Sequence, residues 1–188
     1  MRIIAGSRKG FRLGPVKGRR VRPTQDRVRE SLFNILVQVG PFTNMADLFA
    51  GTGAMGLEAL SRWSGRALFV DSDREVVENL RENIRRLKFE AASQVAVRDL
   101  SRGVGFLIKM GAPFDLILVD PPYLRGWGQR IVEGMLTESL LTDEGLLVLE
   151  HDQKETVPER VAGGLLADQR RYGQTLISFY RKLKDESS

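Results

Sequence analysis

The stretch "DLFAGTGAMGLEAL", residues 47 to 60, decides how the chain is read. A short apolar run led by Asp47 gives way to Gly51, Gly53 and Gly56, a literal G-x-G-x-x-G, and a helical pattern begins at about Ala54. Glycines suit a tight strand-to-helix turn because they reach backbone angles closed to other residues and let a ligand approach the main chain. The next apolar run, "ALFVD", ends on Asp71, twenty residues after Gly51. That spacing fits a nucleotide-bearing ligand in the crevice at the C-terminal ends of parallel strands, its ribose hydroxyls on Asp71. Taken alone, the glycines describe an ordinary tight turn equally well.

Working outward, the alternation continues in both directions. "RPTQDRVRESLFNILVQVG" reads as a helix with Thr24 as N-cap and Val28, Leu32, Ile35, Leu36 and Val39 on one face, stopped by Gly40 and Pro41. After "ALFVD" a second helix carries Val76, Val77, Leu80, Ile84 and Leu87 on one side. "QVAVRD" precedes a helix expected near 101–110, "DLILVD" precedes one near 128–140, and "GLLVLEH" closes the alternation. Strands alternating with helices predict an α/β fold, a mostly parallel sheet with helices on both faces. The tail departs from this pattern. "LLADQRRYGQTLISFYRKL" reads as two antiparallel strands turning near Gly173, and "KDESS" at 184–188 as a disordered tail. Glu150 and His151, just past the fifth strand, are expected in a solvated loop, with a substrate-side contact at the crevice as the alternative.

The 188 residues, 42% of them apolar, suffice for one main domain with a small appendage. The expected organisation is a basic N-terminal extension over 1–23 and a catalytic domain over 24–183. There is no cysteine and a single histidine, His151, which excludes disulfides and thiolate or histidine-cluster metal sites. No apolar run nears the roughly 18 residues a membrane helix needs, and the first residues lack a signal peptide's apolar segment. A cytoplasmic, membrane-free, metal-free monomer is expected. Charge is unevenly spread, with ten Lys or Arg against Asp26 and Glu30 in the first 30 residues, and 19 against 22 acids in the rest. "RIIAGS" and "FRL" around "RKG" suggest a short basic β-hairpin. Arg8, Lys9, Arg12, Arg19, Arg20 and Arg22 are the candidate phosphate contacts for a nucleic acid.

Asp47 discriminates between nucleotide ligands. A carboxylate four residues before Gly51 repels a pyrophosphate, since like unit charges roughly 4 Å apart cost about 4 kcal/mol at an effective dielectric near 20. It attracts the ammonium and sulfonium of S-adenosylmethionine. Asp99, ending the third strand, is placed to accept from an adenine amine, and Ala50, Gly51, Gly53 and Leu100 complete the candidate cofactor set. The fourth strand ends in "DPPY". Two prolines fix a rigid turn without N–H donors, so the Asp120 carboxylate and the Pro121 carbonyl offer two acceptors to a primary amine. Tyr123 offers a face on which a planar base stacks. Accepting both hydrogens turns the amine lone pair toward an electrophilic methyl group, and Asp120 stabilises the positive charge that develops on nitrogen.

"DPPY" after "DLFAGTGAMG" resembles the class I amino-methyltransferases. "RPTQDRVRESLFNIL", with "IIAGSRKGFRL" before it and "YGQTLISFY" near the end, is similar to the bacterial RsmD family of 16S rRNA guanine-N(2) methyltransferases over nearly the whole chain. The resemblance implies a Rossmann-like seven-stranded sheet, an N-terminal β-hairpin extension and S-adenosylmethionine as donor. It also implies a guanine 2-amino group in 16S rRNA as acceptor, in an assembled or assembling small ribosomal subunit. By motif position, Gly51 and Gly53 would approach the methionyl part, Asp71 the ribose, Asp99 the adenine, and Asp120 to Tyr123 the target base. The bracket itself serves adenine or cytosine as well as guanine. A DNA amino-methyltransferase and a non-catalytic RNA-binding assembly factor of the same fold stay open, with a nicotinamide oxidoreductase behind them.

Overall fold

The computed structural model describes residues 1–15 and 23–183, with the backbone alone at 23–25. Arg19, Arg20, Arg22 and the tail at 184–188 lie outside the described residues. The chain divides into two compact units, Met1–Asp99 and Leu100–Ser188.

In the first unit, strands β1 (Asn44–Leu48), β2 (Arg66–Asp71) and β3 (Ser93–Val97) run parallel with β2 in the middle. Their pairing sets Leu48 opposite Val70 and Asp71 opposite Val97, so the C-terminal ends are level. The helices are α1 (Pro23–Val39), α2 (Ala54–Trp63) and α3 (Arg74–Leu87). All five predicted α3 residues are buried, and the Asp73 side chain caps that helix by accepting from the N–H groups of Glu75 and Val76. Helix α1 starts at Pro23, so Thr24 lies inside it rather than at its cap; a proline fits the first turn, where its missing N–H is not needed. Its buried face is Val28, Arg29, Leu32, Phe33 and Leu36, whereas Ile35 is half-buried and Val39 exposed. Phe33 is buried in their place, its ring 5.8 Å from that of Trp63.

The N-terminal segment is a docked strap rather than a free hairpin. Its two limbs meet in a single antiparallel bridge, Arg2 with Arg12, joined through a 3-10 turn at Gly6–Arg8. The limbs also bond each other, with Ile3 N–H donating to the Phe11 carbonyl at 2.9 Å, Gly10 N–H to that of Ile3 at 2.9 Å and Leu13 N–H to that of Met1 at 3.1 Å, and other donors go to the body of the unit. The N–H groups of Ile4 and Ala5 donate to the buried Glu58 carboxylate at 2.6 and 3.0 Å, and that of Arg8 donates to Ser61 Oγ at 2.9 Å. Gly14 N–H donates to Asn83 Oδ1 at 2.7 Å. At Gly6, in the left-handed region (φ +80°), a Cβ would fall 1.9 Å from the Ser61 carbonyl oxygen, so this contact needs glycine.

The second unit holds β4 (Phe114–Val119), β5 (Leu141–Asp152), β6 (Arg160–Val161), β7 (Gly164–Tyr172), β8 (Thr175–Lys182) and α4 (Trp127–Thr137). Strand β4 pairs parallel with β5; β5 with β8, β8 with β7, and β7 with β6 are antiparallel. The predicted turn at Gly173 is present, at φ +64°. The two-residue β6 raises the described strands to eight, one above the expected seven. The helix expected near 101–110 is instead two 3-10 segments, Leu100–Arg102 and Gly105–Met110, parted by Gly103 at φ +103°. Strand β5 runs through Glu150 and His151, which are 8% and 1% exposed. They are buried strand residues and not a solvated loop.

Candidate active site

The predicted cofactor residues of the first unit gather around the end of β1 and β2. Gly51 and Gly53 both adopt positive φ, +57° and +80°, and Gly53 caps α2. A Cβ on Gly53 would lie 2.4 Å from Leu80 Cδ1, whereas one on Gly51 would meet only the Phe49 carbonyl oxygen at 3.9 Å. The turn is therefore packed from behind at Gly53 and open at Gly51. Asp71, 9% exposed, grips it from the neighbouring strand: one carboxylate oxygen accepts from Gly51 N–H and the other from Asp73 N–H, each at 3.0 Å. Ala50 is buried, its N–H donating to the Val70 carbonyl at 3.0 Å.

Asp47 is more deeply set than its sequence role suggests. It is 3% exposed, and Oδ2 accepts from Gly56 N–H in the first turn of α2 at 2.7 Å. Burial, reinforced by the nearby Asp71 charge, pushes its carboxyl up to about 8, against the lowering effect of the Gly56 bond. The residue thus serves the helix terminus directly. Asp99 is exposed in the turn after β3, at the end of the first unit, and Leu100, 5% exposed, opens the 3-10 segment of the second. The residues present fit S-adenosylmethionine: an open glycine turn and strand-end carboxylates at β2 and after β3, which can accept from ribose hydroxyls and an adenine amine.

In the second unit Pro121 is buried, Pro122 exposed, and Asp120 and Tyr123 half-buried at the end of β4. The Tyr123 hydroxyl donates to Glu150 Oε1 at 2.5 Å and lies 3.4 Å from Thr175 Oγ1. Burial first, and then the Glu150 carboxylate, hold the phenol far above its ordinary range, so it stays a donor. Burial also raises the Glu150 carboxyl, while the tyrosine bond favours its ionised form. His151, on the next position of β5, points its Nε2 at Ser178 Oγ, 2.8 Å away. Beside the turn, a recess of about 290 Å³ is lined by Leu124, Gly128, Gln129, Lys154, Glu155 and Val157, among others. Sequence reading missed Glu150 and Thr175 as partners of Tyr123. The one available signal was a glutamate in the otherwise apolar run "GLLVLE".

The candidate RNA contacts divide. Arg8 Nε donates to the Leu87 carbonyl at 2.7 Å and its guanidinium lies 5.2 Å from the Phe89 ring centre, so much of its capacity is used inside the unit. Lys9 and Arg12 are exposed. Among the described residues, no group of three or more His, Cys, Asp or Glu could hold a metal, and no helix is long and apolar enough to cross a membrane.

Comparison with known proteins extends these observations. The family model described as Conserved hypothetical protein 95 matches residues 1–181. The chain is 35% identical over 182 residues to ribosomal RNA small subunit methyltransferase D of Escherichia coli strain K12, covering 97% of this chain and 90% of that protein. The Haemophilus influenzae protein of the same name is 29% identical over 153 residues, covering 81% and 79%. Among solved structures, Escherichia coli yhhF aligns at TM-score 0.80 and 36% identity over 97% of each chain. A hypothetical protein of Thermus thermophilus aligns at TM-score 0.80 and 29% identity, over 97% of this chain and 99% of its own.

Proposed function

The chain belongs to the Conserved hypothetical protein 95 family, the RsmD family, and on that premise we propose that it methylates the exocyclic 2-amino group of one guanine in small-subunit 16S rRNA. Its fold is the Rossmann-like α/β fold of the class I methyltransferases. The acceptor in this reading is the assembled or assembling subunit, in the cytoplasm, and the enzyme acts as a metal-free monomer. The observation that carries it is the rigid Asp120–Pro121–Pro122–Tyr123 turn, with its tyrosine held at the hydroxyl end, in a chain that matches the family over residues 1–181.

S-adenosylmethionine supplies the methyl group when bound, held by Gly51, Gly53, Asp71 and Asp99, with Ala50 and Leu100 beside them and Asp47 securing the start of α2 through its bond to Gly56 N–H. The residues of the bracket do the rest. Tyr123 stacks the base, while Asp120 and the Pro121 carbonyl accept the two amine hydrogens and fix the direction of the nitrogen lone pair. As nitrogen gains a bond to carbon it becomes positive, and the Asp120 carboxylate stabilises that charge. Loss of one proton from the alkylated nitrogen then leaves a neutral secondary amine. A base in an rRNA loop is already partly unstacked, which lowers the cost of reaching the bracket. Lys9 and Arg12, together with Arg8, Arg19, Arg20 and Arg22, supply phosphate contacts, so affinity should fall steeply with salt.

The test is transfer of labelled methyl from S-adenosylmethionine to unmethylated small subunits, naked 16S rRNA and duplex DNA, followed by nucleoside analysis. Label in 2-methylguanosine from subunits, abolished by Asp120→Ala with cofactor affinity kept within a few fold, is the expected result. Label in DNA, or full turnover by Asp120→Ala, would overturn it.

A further inference from the structure

The geometry points to Glu150 as a positioning residue that holds the Tyr123 ring in the plane on which the target base stacks. This inference deepens the proposed reaction and rests on it. Tyr123 follows two prolines whose φ angles are fixed, so its backbone leaves β4 in one direction. A ring held only at that end still turns about its side-chain bonds. Here the far end is tied as well, because the hydroxyl donates to Glu150 Oε1 at 2.5 Å, with Thr175 Oγ1 3.4 Å away.

Both partners come from rigid backbone. Glu150 sits opposite Ile177 in the β5–β8 ladder, two residues from the pair that Asp152 makes with Thr175, so Glu150 and Thr175 share one face of the sheet. Glu150 is 8% exposed and is flanked in the strand by Leu149 and His151, each 1% exposed or less. A carboxylate is rarely buried in an apolar strand without a partner, and its described hydrogen bond goes to Tyr123. The bond orders the ring during folding, so binding a base need not order it again. Glu150 touches neither base nor donor in this scheme; it acts through Tyr123.

Four variants test this: E150Q, which keeps an acceptor at the same reach; E150D, which keeps the charge but shortens the arm; E150A; and Y123F. Single-turnover transfer at saturating S-adenosylmethionine and subunits should fall about tenfold in E150A and E150D, with KM for the subunit within about twofold, because misplacement costs rate more than binding. E150Q should stay near wild type, and E150A/Y123F should be no slower than its slower parent, as expected for two ends of one contact. Ring-carbon NMR reads the anchor without any substrate, since the protein has three tyrosines, Tyr123, Tyr172 and Tyr180. The Tyr123 signal, assigned by its loss in Y123F, should move in E150A and keep its place in E150Q.

Active E150D with inactive E150Q would mean that Glu150 acts by charge and would overturn the proposal. So would additive losses in the double variant, or an unmoved Tyr123 signal in E150A. If wild type itself transfers no methyl to any substrate, the proposed function fails, and the NMR comparison still decides whether Glu150 sets the ring.

Discussion

At the scale of single residues, burial and backbone angle decide what each motif position tolerates. Asp47 shows the first. Its carboxyl titrates near 3.8 when unfolded and about 8 when folded, so between those values the folded chain holds a proton that the unfolded chain has lost. Stability contributed by this group is complete below about pH 4 and declines as pH rises toward 8. The melting temperature should therefore fall between about pH 5 and 8.5, and Asp47→Asn should flatten that slope; an equal slope in both proteins by scanning calorimetry would contradict the assignment. Glycines show the second. Gly53→Ala meets both a left-handed backbone and Leu80 Cδ1 at 2.4 Å, and should cost about 2 to 4 kcal/mol. Gly103→Ala meets the backbone penalty in open space and should cost about 1 kcal/mol. Urea denaturation of the two variants checks the difference.

Among the elements, helix α3 was the most legible in the sequence and the 101–110 segment the least. In α3, Val76, Val77, Leu80, Ile84 and Leu87 form a regular buried stripe, and Asp73 starts the helix with two backbone bonds. Asp73→Ala should destabilise the protein by about 1 kcal/mol in the same denaturation assay, with Asp73→Ser close to wild type. In the other segment Leu100, Val104 and Leu107 are also buried at helical spacing. Gly103 and Gly111, both at positive φ, keep it from propagating as an α-helix, and periodicity alone does not separate α from 3-10 over so few residues. The ends of β1 and β4 were legible because glycine (Gly51, Gly53) and proline (Pro121, Pro122) punctuate them, and Asp71 by its spacing from the glycine turn. The depth of Asp47, and the pairing of Glu150 with Tyr123, were not. A charged residue in a strand reads as solvent-facing until a partner 27 residues away in sequence accounts for its burial.

For the molecule as a whole, the basic N-terminal segment belongs to the first unit's structure as much as to its surface. Ile3 and Leu13 are buried, Glu58 accepts from two of the segment's amides, and Arg29 Nη2 donates to the Arg2 carbonyl. Deleting residues 1–13 should lower the melting temperature by about 10 °C or more, beyond any loss of RNA affinity, because it strips partners from a buried carboxylate and exposes apolar surface. An unchanged melting curve by circular dichroism would show the segment to be a passive arm. The segment also packs onto residues that follow it within the same contiguous unit, Met1–Asp99. During translation, every proposed donor-half residue except Leu100, the first of the next unit, has been made once Asp99 is added. A nascent chain can then complete that half while the acceptor half is still being synthesised, with no distant segment awaited to finish it.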